Sequence, residues 1–92
     1  MAYQIATTKQ FDKDVDRLKK RGYDLELLKR AINLLATGKP MPEQYLDHPL
    51  KGDKRDCREC HISFDWLILY RKDKNRLILL LQRTGTHSVI LK

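Results

Sequence analysis

All three histidines of the chain lie in its second half, each within a short polar segment. His48 follows an aspartate in the segment Asp-His-Pro-Leu-Lys-Gly, His61 ends Arg-Glu-Cys-His, and His87 ends Arg-Thr-Gly-Thr-His. An unperturbed imidazole gains or loses a proton near neutral pH, so histidines beside carboxylates and arginines are typical of proton-transfer sites. These segments therefore predict a site for acid–base chemistry.

The charge of the chain indicates the substrate of such a site. With 19 Lys and Arg residues against 12 Asp and Glu residues, the formal net charge is +7 at pH 7. A small basic domain attracts polyanions, and metal-free phosphodiester cleavage needs a base, an acid and a cation for the phosphorane. Two basic clusters, residues 19–21 and 51–55, are either ordinary solvated surface or RNA contacts. The net charge favours RNA contacts, with Lys51, Lys54 and Arg55 as substrate-binding residues.

The length of 92 residues predicts one domain, residues 1–92, with a modest core. The longest apolar runs, 66–70 and 77–81, are too short to cross a bilayer, and the first residues lack the apolar stretch of a signal peptide. We therefore expect a cytoplasmic protein that does not contact membranes. In that compartment Cys57 and Cys60 should stay reduced.

The first half of the chain predicts a strand and two helices. Alternation over residues 3–7 indicates a short strand, and Thr7-Thr8-Lys9-Gln10 has the spacing of a capping box for the first helix. Gly22 should end that helix. Asp24 is a suitable N-cap for the second helix, and Gly38 supplies its left-handed C-terminal residue. Two amphipathic helices joined by a short turn predict an antiparallel hairpin that packs on a sheet.

The second half predicts a sheet. After a long irregular connection that ends near residue 54, three strand-like runs follow at 55–62, 66–72 and 76–84, separated by short turns. They form a three-stranded antiparallel meander, in which the last two runs are central because both of their faces are apolar. The expected fold class is α+β: an N-terminal strand, an antiparallel helix hairpin and this meander, with the helices on one face.

The segment from Cys57 to His61 matches the C-x-x-C-H signature of c-type haem attachment. On a strand, however, Cys57 and Cys60 face opposite sides of the sheet, whereas Glu59 and His61 project together. A zinc site lacks a second ligand pair at metal spacing. We therefore predict no metal and no cofactor, with one core cysteine and one surface cysteine.

Two large side chains near the histidines have alternative interpretations. Arg83 ends a central strand, where its guanidinium either binds phosphate or forms a buried ion pair with Asp65 or Glu59. The ring of Trp66 either stacks on an unpaired base or packs in the core.

Four segments, taken in order, carry a resemblance to a known family: residues 47–52, 58–62, 65–70 and 83–88. Over essentially its whole length the chain resembles the YafQ branch of the RelE/ParE toxin superfamily. The resemblance implies a RelE-like fold and the toxin half of a type II toxin–antitoxin pair. Such a toxin is a ribosome-dependent mRNA interferase that cuts the codon in the A site, leaving a 2′,3′-cyclic phosphate and a 5′-hydroxyl. Its partners would be the ribosome, mRNA and a cognate antitoxin, with a heterotetramer as one option for the antitoxin complex.

The resemblance also implies roles for individual residues. We expect His87 to be the general acid, His61 or Asp65 the general base, and Arg83 the cation that stabilises the phosphorane. The catalytic and substrate-contacting positions of the family correspond here to His48, Glu59, His61, Asp65, Trp66, Arg83 and His87. Two positions depart from the family: Glu59 stands where relatives often have Asp, and Leu91 where they commonly have Phe.

Two rival functions remain. A nucleic-acid-binding module without catalysis would need lysines and arginines, but it has no use for converging histidines and carboxylates. A ParE-like toxin that poisons gyrase shares the expected fold, but such relatives lack this histidine set. The acid–base residues therefore favour the ribonuclease.

Overall fold

The computed structural model describes residues 2–50 and 56–90. The predicted contacts of Lys51, Lys54 and Arg55, and the departure at Leu91, lie outside these residues. Along the chain the elements are β1 (Gln4–Thr7), α1 (Lys9–Lys20), α2 (Leu25–Ala36), a 3-10 turn (Glu43–Tyr45), β2 (His48–Pro49), β3 (Arg58–Ser63), β4 (Trp66–Asp73), β5 (Ile78–Gly85) and α3 (His87–Ile90).

The strands form one five-stranded mixed sheet in the order β1-β5-β4-β3-β2. β1 runs parallel to β5, and the other neighbouring pairs are antiparallel. The α+β class and the β3-β4-β5 meander are therefore confirmed, with β4 and β5 in the interior of the sheet. Two elements were not predicted: β2, which lies within the expected irregular connection, and the four-residue helix α3.

The ends of the two long helices follow local chemistry. Thr8, not Thr7, is the N-cap of α1, because its hydroxyl accepts a hydrogen bond from the amide of Phe11 at 3.0 Å. The predicted capping box is wrong, since Gln10 donates to Asp14 instead. The prediction for Asp24 is confirmed: its carboxylate accepts from the amide of Glu26 and begins α2.

The two faces of the sheet have different coverings. One face, here called the helix face, packs against α1 and α2 in a core that includes Leu18, Leu28, Leu35, Cys60, Trp66, Ile68, Tyr70 and Leu81. The opposite face, here called the histidine face, carries Glu59, His61, Leu67, Leu69 and Arg83, which alternate with the helix-face residues. On it Leu67 and Leu69 are covered by Ile90 of α3, with Leu50 and Cys57 beside them. No helix in the described part of the chain is long and apolar enough to cross a membrane.

Cys57 and Cys60 lie on opposite faces of the sheet, as predicted. Cys60 is buried in the helix-face core, and this burial raises the pKa of its thiol to about 12. The thiol of Cys57 is half-buried and donates to the side-chain oxygen of Gln82 at 3.0 Å. This separation excludes the haem arrangement that needs both thiols on one side.

Trp66 is a core residue, so its predicted role in substrate binding is wrong. Its side chain is on the helix face, and the residue is only 3% exposed. The indole N–H donates to the hydroxyl of Thr84 at 2.9 Å, and the ring of Tyr23 meets the indole edge-on at 5.1 Å. A ring enclosed in this way is not accessible for stacking on a base.

A buried carboxylate in α1 joins this helix to the end of β5. Asp14 is fully buried and accepts from Arg83 Nε at 2.8 Å and Nη2 at 3.2 Å. It also accepts from the amide of Thr84 at 3.1 Å, from Arg17 at 3.0 Å and from Gln10 at 3.2 Å. Burial alone would raise the pKa of Asp14, but the hydrogen bonds outweigh burial and hold the pKa below its usual value.

The ion pair of Arg83 was predicted with the wrong partners. Neither Asp65 nor Glu59 contacts the guanidinium; Asp14, 69 residues away in sequence, does. The sequence did not single out Asp14 as the partner of Arg83. Asp12 and Asp16 on the same helix look equivalent to it in the sequence, although both are exposed in the structure.

We expect Asp14→Asn to lower the free energy of unfolding by about 3 kcal/mol, since it leaves two guanidinium groups without their carboxylate. Because the pKa of Asp14 is depressed in the folded state, its contribution is present above the unfolded pKa and disappears as pH falls through the folded pKa. Urea unfolding at several pH values measures both effects. Asp16→Asn, an exposed position on the same helix, is the matched control and should change stability by less than about 0.5 kcal/mol. Equal effects of the two substitutions would contradict this account.

Candidate active site

Three imidazoles surround one buried carboxylate on the histidine face. The residue at the centre is Glu59, which is 3% exposed. Its Oε1 lies 3.0 Å from Nε2 of His61, 3.4 Å from Nε2 of His87 and 3.7 Å from Nε2 of His48. A buried carboxylate needs such partners, because an unpaired charge away from water is costly. The pattern in the sequence predicted that the histidines belong to one site, and the geometry agrees.

Three separate elements bring these side chains together. Glu59 and His61 are two residues apart on β3, so they project from the same face. His48 is the register partner of Glu59 across the short β2–β3 ladder. His87 begins α3 directly after β5, and Gly85 makes that turn with a φ of 151°, a conformation that other residues rarely adopt.

Asp47 holds His48 in place, and sequence analysis gave it no role. The hydroxyl of Tyr70 donates a short hydrogen bond to one carboxylate oxygen of Asp47, and Arg58 donates to the other at 3.2 Å. Burial, together with this carboxylate, raises the pKa of Tyr70. The segment before His48 is therefore tied to β3 and β4. The aspartate next to a histidine was visible in the sequence, but its partners were not.

Asp65 orients His87. Its carboxylate lies 2.9 Å from Nδ1 of His87 and accepts weakly from the backbone amide of the same residue at 3.4 Å. The hydrogen bond that His87 donates to Asp65 raises the pKa of His87, and the charge of Glu59 adds to this effect. The same pair lowers the pKa of Asp65. His87 is therefore held in a setting that favours its protonated form.

Arg83 stands apart from this cluster. Arg83, Leu69 and Glu59 are register partners across β5, β4 and β3, so Leu69 separates the arginine from the carboxylate. The Arg83 side chain is 27% exposed, and its guanidinium binds Asp14. Of the predicted site residues in the described part of the chain, the structure brings together His48, Glu59, His61, Asp65 and His87.

The histidine cluster contains a set of residues that could hold a metal ion, which the prediction of no metal did not anticipate. One ligand atom from each of His48, Glu59 and His61 lies within 4.8 Å of the others. Imidazole nitrogen and carboxylate oxygen together suit Zn²⁺ and Cu²⁺. The sequence did not point to this set, because its members belong to two strands that pair across a long connection. The zinc site considered from the sequence combined Cys57 and Cys60 with a histidine.

A family model described as the bacterial toxin of type II toxin-antitoxin system, YafQ, matches residues 3–92. The chain belongs to the YafQ family. The mRNA interferase toxin YafQ of Escherichia coli K12 is 39% identical over 83 residues, which cover 88% of this chain and 87% of that protein. The resemblance found in the sequence is thereby confirmed.

Solved structures of YafQ-type toxins have the same fold. A metal-bound toxin from Helicobacter pylori is 46% identical with a TM-score of 0.89, and the match covers 98% of this chain and 99% of that one. A chain of the Escherichia coli DinJ–YafQ toxin-antitoxin complex is 33% identical with a TM-score of 0.90, and the match covers 100% of both chains.

We expect Asp65→Asn to lower the pKa of His87, because the amide removes the negative charge and the carboxylate acceptor that favour the imidazolium. Titration of the histidine ring protons by NMR measures this directly. In the wild type the His87 signal should titrate above the usual value of about 6.5, and in Asp65→Asn it should titrate at lower pH. Asp12→Asn, an exposed position on α1, should leave the titration unchanged. An unshifted His87 in Asp65→Asn would mean that Asp65 does not control its protonation.

Proposed function

We propose that this chain is the toxin of a type II toxin–antitoxin pair and acts as an endoribonuclease that cuts mRNA in the ribosomal A site. The observation that carries the proposal is the convergence of three imidazoles on buried Glu59. The relatives named mRNA interferase support the same substrate, and the net charge of +7 suits a polyanion.

The reaction is attack of a ribose 2′-oxygen on the adjacent phosphate, which yields a 2′,3′-cyclic phosphate and a free 5′-hydroxyl. His61 takes the 2′-proton. Nε2 of His61 faces the Glu59 carboxylate at 3.0 Å. This neighbour favours the tautomer that carries its proton on Nε2, which leaves Nδ1 to accept the proton of the substrate. The assignment of His61 rather than Asp65 as base follows from the contact of Asp65 with His87, which commits that carboxylate to the acid.

His87 protonates the leaving 5′-oxygen. Its raised pKa keeps the imidazolium populated near neutral pH, as a general acid requires. His48 is the imidazole that lies farthest from Glu59, and it binds a nonbridging phosphate oxygen when protonated. Each positioned proton transfer typically contributes about 10² to 10⁴ in rate.

Arg83 is the cation for the developing phosphorane, with Asp14 fixing its orientation. Nε and Nη2 of the guanidinium donate to Asp14, so Nη1 is the group that addresses a phosphate oxygen. Asp14 binds the edge of the guanidinium formed by Nε and Nη2, which leaves the Nη1 hydrogens and the second hydrogen of Nη2 for phosphate oxygens.

The partners follow from the same proposal. The ribosome supplies the mRNA in a fixed geometry, and distributed basic residues such as Lys19, Lys20 and Arg21 provide salt-dependent affinity for it. A cognate antitoxin binds the toxin, as DinJ binds YafQ in the Escherichia coli complex, and the pair acts in the cytoplasm.

We expect His87→Ala to slow cleavage of ribosome-bound mRNA by about 10² to 10⁴, because the leaving oxygen loses its proton donor. The assay is mapping and quantification of new mRNA 5′ ends on programmed ribosomes, together with thermal unfolding to verify the fold. Lys29→Ala, an exposed position on α2, is the control and should cleave as the wild type does. Wild-type protein should cut free RNA poorly. Full activity of folded His87→Ala would remove this histidine from the mechanism.

The cluster also favours a second property, the binding of a divalent transition metal. The donor set of His48, Glu59 and His61 fits such an ion, and the similar Helicobacter pylori toxin was crystallised in a metal-bound form. An ion held there would bind Nε2 of His61, the nitrogen that faces Glu59. The ring proton would then lie on Nδ1, and His61 could no longer accept the proton of the substrate. We therefore propose that the metal inhibits the ribonuclease and takes no part in its chemistry.

Two measurements test this proposal. Titration with Zn²⁺ should show binding that weakens by about tenfold or more in His48→Ala, with Lys29→Ala as an unaffected control. EDTA should leave cleavage intact, and added Zn²⁺ should reduce it. If EDTA abolishes cleavage and one metal restores it, the acid–base mechanism without metal is wrong. If Zn²⁺ binds the wild type and His48→Ala equally, the ion sits elsewhere.

A further inference from the structure

The turn between β3 and β4 presents a fully exposed aromatic ring beside the histidine cluster. Phe64 is 100% exposed. The other six aromatic residues of the chain all lie in the described part, and each of them is buried or half-buried. A single exposed apolar side chain needs no explanation in itself, but the position of this one does.

Phe64 is directly joined to the site. It is the first residue of a two-residue loop, because Ser63 and Trp66 pair across the hairpin. The second loop residue, Asp65, contacts His87 through its carboxylate. Consecutive Cα atoms are only about 3.8 Å apart, so the backbone that carries the ring adjoins the residue that orients the proposed general acid.

The loop that carries Phe64 is held firmly on both sides. After it, Trp66 is enclosed in the helix-face core and hydrogen-bonded to Thr84. Before it, His61 contacts Glu59. Rigid backbone lowers the entropy that must be lost when a ring orders against a ligand, so this loop is suited to display a side chain for binding.

Phe64 itself gains nothing from packing in the folded chain. Tight hairpin loops favour small and polar residues such as Asn, Asp and Gly. A phenylalanine at this position therefore departs from the residue preference of hairpin loops and adds no stability. Such a departure is expected of a residue with a functional role.

We propose that the ring of Phe64 stacks on the base of a nucleotide that flanks the scissile phosphate. The proposal rests on the function proposed above, and it names a contact that positions the substrate at the site. Stacking of a base on an aromatic side chain needs an accessible ring and no sequence-specific hydrogen bonds. Sequence analysis gave this role to Trp66, which is buried; Phe64, two residues earlier, has the exposure that the role requires.

The test compares Phe64→Ala with Phe64→Trp, which restores an aromatic face. The matched control is Leu27→Ala, which removes another exposed apolar side chain, on α2. All three variants should unfold at nearly the wild-type temperature. At subsaturating programmed ribosomes, cleavage by Phe64→Ala should be slower by on the order of 10-fold, mainly through a higher KM, whereas Phe64→Trp and Leu27→Ala should cleave at close to the wild-type rate.

A second measurement reports on stacking itself. The mRNA carries 2-aminopurine in the A-site codon, beside a 2′-deoxy nucleotide that prevents cleavage. Binding of wild type or Phe64→Trp should quench the 2-aminopurine fluorescence, and Phe64→Ala should quench it much less. Because fluorescence quenching requires no reaction, it tests the stacking of Phe64 separately from the ribonuclease activity. Wild-type protein that quenches the fluorescence but never cleaves natural codons would refute the ribonuclease and leave the stacking proposal standing.

Two results would overturn the stacking role. One is equal cleavage and equal quenching by Phe64→Ala and wild type. The other is normal cleavage by Phe64→Ala together with loss of inhibition by the antitoxin, which would make Phe64 a contact for that protein and not for RNA.

Discussion

Burial of the Glu59 carboxylate is the constraint on which the site depends. A carboxylate removed from water requires hydrogen-bond donors or positive charge close by, and here three imidazole nitrogens lie 3.0 to 3.7 Å from one of its oxygens. The same requirement gathers one histidine from β2, one from β3 and one from α3. The contacts that stabilise this face of the sheet are therefore the contacts that bring the three imidazoles together. An aspartate at this position would have a shorter arm, and it would have to draw the histidines closer to the strand.

Asp14 is a second buried carboxylate, and it fixes the end of β5. Asp14 binds Arg83 and the amide of Thr84 at the point where β5 extends past its partner β1. It thereby attaches the first helix to the strand that leads into Gly85 and His87. The position of His87 therefore depends on a residue of the first helix that lies outside the histidine cluster.

Sequence periodicity predicted the elements well, because apolar spacing and capping residues are local signals. It identified both long helices and the meander, while the residues of the histidine cluster followed from their chemistry and from the family resemblance. It missed β2, because a two-residue strand has no periodicity and exists only through its pairing with Glu59 and Arg58. The ion pair of Asp14 was missed because its partner Arg83 lies 69 residues away in the sequence. The burial of Trp66 was missed for another reason: a strand that is apolar on both faces does not reveal which face the helices cover.

The order of the strands has a consequence for synthesis of the protein. β1 is made first, yet its neighbour in the sheet is β5, the last of the described strands, with pairing from Gln4 with Ile78 to Thr7 with Leu81. The sheet cannot close until residues 78–85 have left the ribosome, and the third imidazole of the cluster follows two residues later. Contacts of such long sequence separation form late in folding. Until the ribosome has translated this last part of the message, the nascent chain therefore lacks a complete site.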